Sequence, residues 1–545
     1  MNKRSIIRSL ISENEAIFNE EIDKASRAIN KRQFRTAAAI LQSAARFAWF
    51  NHPGFFRSRR LEALTAKLGE QLPSHRAQDP ESGSEVLHIL TQAYSTGGHT
   101  RLVWRWIDND PTRVHSAVLT GQQGEPIPWE LRKSVERSGG TITRIGKYNS
   151  NLMARAAELR RIALRHSGTI VLHIHPCDVV PIIALASVPV KVIFLNHADH
   201  VFWVGMSITT VLANIRPAGE ALSLAARQVE NTDAAMLPIP LQSQQVGDRS
   251  GARASLGIAD DAVLIITIAS SYKYAVQNER HFVDVHLNFV ESNENVVLIA
   301  IGPNATGRWL EAHDRTAGRF SAVGTVQNLD RYYDAADIYV DSIPFSSLTS
   351  LVDAAARGLP VLSLNETVPN SVLTSDDVSL IANSVHFGVR ENYLAELSAL
   401  TITREYRREV SEELQDRVSL DHLSPGWNNH LERLYERVDF KTAGHIPISP
   451  APAGIKSNSF DELELALLDF QVASGLAGPF WKCSIREAPF LPVSGRLDSF
   501  MSLPSTERAK HLNFMLPEAL RTHISIGWRY IRARLISKPR SPKPR

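Results

Sequence analysis

The chain has 545 residues, 43% of them hydrophobic and 21% charged, with a formal net charge of +3. That length exceeds one ordinary domain, the composition is that of a globular protein with sizeable cores, and so small a net charge does not call for nucleic acid as a partner. Two cysteines, Cys177 and Cys483, lie far apart in no metal-like spacing, which excludes a disulfide scaffold and suits a reducing compartment.

Arg8 and Glu13 interrupt the N-terminal region, so no secretory leader is expected there. No apolar run reaches the roughly 18 residues of a spanning helix. The expected location is the cytoplasm. Residues 1–72 read as a helical domain, an appendage without chemistry of its own. Ala37, Ala38, Leu41, Ala44, Ala45 and Ala48 recur at helical spacing before the breaker Asn51-His52-Pro53-Gly54, and a further helix is expected from Phe55. Residues 73–84, polar and containing Pro80, read as a linker.

The pattern then alternates. Short apolar runs at 86–90, 116–119, 169–173 and 191–195 predict strands separated by helical stretches. After Pro238-Ile239-Pro240 the alternation restarts, with strands expected at 262–269, 295–301, 338–341 and 360–364 and a closing helix near 427–438. Alternating β and α units predict parallel sheets covered by helices. The expected fold class is α/β, with two Rossmann-like domains, 85–240 and 241–438, facing a cleft. Residues 439–545 form an irregular extension with a small helix at 460–473. Its basic tail carries Arg529, Arg532, Arg534 and Lys538 among Trp528, Tyr530 and Leu535. The tail reads as solvated, or as a peripheral contact with the inner face of the cell membrane.

Two motifs carry the expected chemistry. Ser95-Thr96-Gly97-Gly98-His99-Thr100-Arg101 follows the strand at 86–90. Gly97 and Gly98 let backbone approach a ligand, the next helix N-terminus favours an anion, and His99 stands at the cleft mouth as a base or as a helix cap. The second motif runs from Ala336-Asp337 through Asp341 and the hydroxyl-rich Ser346-Ser347-Leu348-Thr349-Ser350 to Asp353, followed by Gly358-Leu359-Pro360. A helix starting near Thr349 would offer N–H groups and hydroxyls to a diphosphate, with the Asp353 carboxylate one turn on for ribose hydroxyls.

This second motif resembles the donor-binding half of GT-B glycosyltransferases, most closely the O-GlcNAc transferase branch and its bacterial protein-glycosylating relatives. There the strand ends Ala-Asp-x-x-x-Asp, two hydroxyl residues precede a ribose-binding aspartate by four and three positions, and Gly-x-Pro follows. Ala336, Asp337, Asp341, Thr349, Ser350, Asp353, Gly358 and Pro360 match without a gap. Families with a Glu-x7-Glu motif place glutamate where this chain has Phe345, which disfavours the common retaining type. The branch also has a strand-loop lysine that neutralises the donor diphosphate, and Lys273 in Ser270-Ser271-Tyr272-Lys273-Tyr274 takes that position. Its base-contacting lysine and histidine fall here on Val326 and Leu329.

The resemblance implies a metal-independent, inverting glycosyltransferase. It implies a UDP-linked nucleotide sugar as co-substrate, no other cofactor, and a cell-envelope glycan or protein as acceptor. Gly97, Gly98, Lys273, Ser347, Thr349, Ser350 and Asp353 would bind the donor, and His99, His175, His197 and Asp199 would serve catalysis. His173-Ile174-His175 places both histidines on one strand face, and Asn196-His197-Ala198-Asp199-His200 follows another strand end. Either cluster has ligand types that suit a metal, but lining an acceptor pocket is the expected role and ordinary loop packing the alternative; no metal site is expected. Asp108-Asn109-Asp110 spells Asp-x-Asp, but it follows a helix rather than a strand and is set aside. Two rivals remain: a sugar-nucleotide epimerase on the same fold, and a silent nucleotide-sugar-binding protein.

Overall fold

The computed structural model describes residues 3–73, 85–122, 126–146, 151–242, 247–275, 281–366, 371–375, 377–378, 386–441, 461–508, 510–512 and 516. The first sheet contains β1 (Glu85–Leu90), β2 (Val114–Leu119), β3 (Ile142–Arg144), β4 (Thr169–His173), β5 (Lys191–Asn196), β6 (Val211–Asn214) and β7 (Ala234–Met236), in the order β3-β2-β1-β4-β5-β6-β7. The second contains β8 (Val263–Ile268), β9 (Val296–Ile301), β10 (Phe320–Ala322), β11 (Ile338–Val340), β12 (Val361–Leu364) and β13 (His386–Phe387), in the order β10-β9-β8-β11-β12-β13. Every pairing is parallel. Strands such as β8 are buried along their whole length, as sheets covered on both faces require. The chain order reverses between β1 and β4 and again between β8 and β11. Ligands of open α/β sheets bind at the carboxyl ends beside such reversals.

The N-terminal region is helical and packs on the first domain. Helices Lys3–Asn30, Phe34–Phe50 and Arg59–Gly69 contribute Phe18 and Ile22, the alanines from Ala37 to Ala48, and Leu61, Leu64 and Leu68 to the core that holds Leu87 and Ile89 of β1 and Ile170 and Leu172 of β4. The fully buried Glu62 carboxylate accepts N–H groups from Gly205 at 3.0 Å, Met206 at 3.1 Å and Ser207 at 2.9 Å. Those bonds satisfy its charge and fix the third of these helices to the first domain.

Helix Gly426–Phe440, expected to close the second domain, instead crosses back to the first. Its Trp427 indole donates to Pro238 O at 2.7 Å. Its Tyr435 hydroxyl donates to Asp110 at 3.1 Å and accepts from the Trp106 indole at 3.2 Å. Asp110 is thereby consumed in packing, and Asp108 bonds Arg137 and Gln242, so neither serves an Asp-x-Asp site.

The extension is also more ordered than expected, with helices Asp461–Ala473, Phe480–Glu487 and Val493–Met501. The first of them bridges the two domains. Leu463, Leu467 and Phe470 pack with Phe56, Val201 and Leu222 on one side and with Phe345 and Leu373 on the other. The basic tail from Trp528 lies outside the described residues. Among the described residues no helix is long and apolar enough to cross a membrane.

Candidate functional site

At the end of β11 the Asp341 carboxylate is buried and shapes the turn that follows. Oδ1 accepts the N–H groups of Ser342 at 2.8 Å and Ser347 at 2.9 Å, and Oδ2 accepts the hydroxyls of Ser346 at 2.6 Å and Ser375 at 3.1 Å. Burial raises its pKa even against these donors. The turn delivers the chain into helix Leu348–Ala356 with Ser347 at its cap position. Thr349 and Ser350 therefore stand in the first turn, at the positive end of the helix.

Lys273 sits in the short turn after β8. Its ammonium donates to Ser346 O at 2.7 Å and lies 4.9 Å from the centre of the Phe345 ring. Burial pulls its pKa down to about 8, more strongly than Asp341 holds it up.

Across the cleft, Gly97 has φ +92 and Gly98 packs against the opposite domain, where an added Cβ would lie 2.7 Å from Thr349 Oγ1. A side chain at Gly97 would strain the backbone, and one at Gly98 would require the Thr349 hydroxyl to shift. His99 falls in the first turn of helix Gly98–Asn109. Its Nε2 contacts His173 O at 2.8 Å. A carbonyl only accepts, so Nε2 carries the proton and Nδ1 keeps its lone pair. Nδ1 is buried and has no hydrogen-bond partner among the described residues. Burial lowers the pKa, so the ring is neutral near pH 7. The His197 ring is 4.4 Å away and the His175 ring 6.0 Å.

Behind His99 lies a row of buried imidazoles. His173 Nε2 meets His88 Nδ1 at 2.9 Å, His88 Nε2 meets His115 Nδ1 at 2.9 Å, and His115 Nε2 meets Asp110 O at 3.1 Å. The row anchors the residue whose carbonyl holds His99.

The cleft between these walls is a cavity of about 510 Å³. It brings together Gly97, Gly98, His99, His197 and Asp199 with Lys273, Ser347, Thr349 and Ser350. Val326 and Leu329 line it as well.

Two predicted residues do not line this cavity, and a third is differently engaged. Asp353 is buried, and Arg101 and Arg105 of the first domain each reach it at 2.8 Å. Its carboxylate ties the domains together rather than presenting itself to the cleft. His175 does not share a strand face with His173, because β4 ends at His173. His173 joins the buried row, whereas His175 stacks on Tyr94 at 5.8 Å in a neighbouring cavity. Asp199 lines the cleft but is held by Arg216 at 2.6 and 3.0 Å. Burial opposes its ionisation, yet Arg216 and His200 outweigh that and keep its pKa well below the usual carboxylate range. An ion-paired carboxylate of this kind is a poor base.

Sequence reasoning missed Arg216, Arg105 and Phe470, and named Arg101 in its motif without its partner Asp353. Arg216 follows β6, a four-residue strand too short to show a clear pattern, and stands directly before Pro217 at the start of the next helix. Phe470 stacks on Phe345 at 5.0 Å from a helix more than a hundred residues further along the chain. Among the described residues no group of three or more His, Cys, Asp and Glu side chains is placed to hold a metal ion.

No protein-family model matches the sequence, and no curated protein does. Solved structures do match. A glycosyltransferase from Rickettsia africae ESF-5 superposes with a TM-score of 0.50 at 9% identity, covering 66% of this chain and 99% of that one. Anabaena Alr3699/HepE in complex with UDP and glucose gives 0.49 at 11% identity over 64% and 99%. A mutant of the Thermobaculum terrenum O-GlcNAc transferase gives 0.47 at 12% identity over 80% and 83%. The two facing parallel-sheet domains have the GT-B fold.

Proposed function

We propose that the chain is a glycosyltransferase that moves a sugar from a UDP-linked donor to a cell-envelope glycan or protein in the cytoplasm. The observation that carries this reading is the arrangement across the cleft. A neutral His99 with an unpartnered Nδ1 lies on one wall. Lys273 and the N-terminus of helix Leu348–Ala356 lie on the other. Thr349, Ser350 and Ser347 would bind the diphosphate, with Gly97 and Gly98 admitting it between the domains. The acceptor hydroxyl gives its proton to His99 Nδ1 as its oxygen attacks the anomeric carbon. The bond from that carbon to the diphosphate oxygen breaks, and the electron pair leaves with the nucleoside diphosphate. Its growing charge faces the Lys273 ammonium and the helix N-terminus, the position at which electrostatic stabilisation is strongest. A single displacement of this kind inverts the anomeric centre. Asp353 has no part in the step; it holds the two domains at the spacing the step needs.

A thermal-shift screen of nucleotide sugars, followed by tracing radiolabel from the best binder into cell fractions, tests this reading. Label should enter a polymeric acceptor and should do so in EDTA. Activity lost to EDTA and restored by manganese or magnesium would sink the metal-free mechanism. Conversion of the donor with no acceptor present would identify an epimerase, and binding without turnover a silent protein.

Lys273 adds a pH signature. Its depressed pKa of about 8 belongs to the unliganded cleft, and a bound diphosphate would raise it. UDP affinity is therefore expected to be level below pH ~8 and to fall above it as the ammonium loses its proton. Calorimetric titrations on either side of that value check this. Lys273→Arg, which stays charged, should remove the alkaline loss, and an alkaline loss surviving in that variant would place its origin elsewhere.

A further inference from the structure

Beyond the Tyr94–His175 stack lies a second cavity of about 340 Å³, at the low end of the range for small-molecule sites. Its floor is the carboxyl edge of the first sheet. There Asp178 Oδ2 accepts the hydroxyls of Thr91 at 2.7 Å and Thr120 at 2.6 Å, while Oδ1 accepts the Val180 N–H at 3.0 Å. Part of its wall comes from outside the two α/β domains. Trp49 and Phe50, stacked at 4.3 Å, end the second N-terminal helix, and Arg486 and Phe490 belong to the extension. The site therefore exists only because both terminal regions pack onto the first domain.

The lining is polarised. Arg46, Arg155 and Arg486 contribute three guanidinium groups. Among the described residues lining the cavity, Asp178 is the one carboxylate, and its oxygens are engaged as above. Arg46 is held by Glu487 at 2.7 Å. Arg155 donates to Thr120 O at 2.9 Å and lies 5.1 Å from the centre of the Phe490 ring. Arg486 is exposed at the rim. Guanidinium groups fixed in this way recognise planar oxyanions, and flat aromatic walls take the apolar face of a ring. The cavity adjoins the cleft through His175, whose ring is 6.0 Å from that of His99.

We propose that this cavity is the acceptor subsite and that it takes a saccharide bearing an anionic group, a carboxylate or a phosphate. The sugar ring lies against Trp49 and Tyr94, the anion faces the arginines, and a free hydroxyl passes His175 towards His99. The proposal rests on the glycosyltransferase reading given above.

The full chain is titrated with methyl β-glucuronide, glucose 6-phosphate and methyl β-glucoside, each with UDP present. At least one anionic probe should bind together with UDP and about tenfold more tightly than the neutral glucoside. The arm that wins tells a uronic acid from a sugar phosphate. Arg486→Glu, on the surface, should weaken that probe about tenfold and leave UDP affinity within about twofold. Trp49→Ala should weaken all three sugars. Equal binding of the neutral glucoside, indifference to Arg486→Glu, no sugar binding, or preference for an acidic peptide over every sugar each overturns the proposal. Failure of UDP to bind the unmodified chain overturns the glycosyltransferase reading instead, and the sugar arm still decides what the cavity holds.

Discussion

Replacing His99 with alanine is expected to lower sugar transfer by about 10²–10⁴-fold, the usual contribution of a general base, while nucleotide-sugar affinity stays within a few-fold of normal. The two effects separate because His99 stands on the wall opposite Lys273, Thr349 and Ser350. A base on that wall acts when the acceptor oxygen loses its proton, not while the donor is merely held. The ring is prepared for the task, with Nε2 committed to His173 O and Nδ1 left with its lone pair. Because burial depresses the pKa, the transfer rate should fall only at a pH below the ordinary histidine value, where the ring finally protonates. Single-turnover transfer beside donor calorimetry makes the measurement. Near-normal transfer in the variant would reduce His99 to a residue of the βα turn. Joint loss of donor binding and transfer would place it in the donor site.

The second large effect is expected at Asp353, and in stability rather than in binding. Asp353→Ala should cost about 3–5 kcal/mol of unfolding free energy, the usual result of removing one partner from a buried ion pair. Arg105 would be left buried without its carboxylate, and Arg101 would lose its bond across the domains. Denaturant unfolding of the variant measures the loss, and donor calorimetry under native conditions measures any separate effect on binding. A variant of normal stability with weakened donor binding would return Asp353 to the ribose.

The same residue shows where sequence reading stops. Its place one turn into a helix after a hydroxyl-rich loop was legible, because the loop and helix are local. Its partners were not, since Arg101 and Arg105 lie some 250 residues earlier and reach it only once the domains face each other. Strands behaved likewise. The run 169–173 coincides with β4, because a buried parallel strand is a continuous apolar run. The three residues of β3 and of β10 are too few to show any pattern. His173 and His175 were placed on one face by an alternation that ends with the strand itself. The N-terminal helices are legible as helices, but their small residues read as a helical domain of their own. In the fold those alanines share one core with residues of the first domain, and nothing local distinguishes the two cases.

The imidazole row behind His99 has a consequence for acid tolerance. Asp110 O can only accept, so every proton in the row points from His173 towards Asp110. Burial holds the pKa values of His88 and His173 well below that of free histidine. The unfolded chain would take up protons on these two rings below about pH 6.5, whereas in the native row they refuse them until far lower pH. Stability linked to the row is therefore complete above that value and drains away as the pH falls beneath it. Mild acid would strike this sheet through His88 and His173.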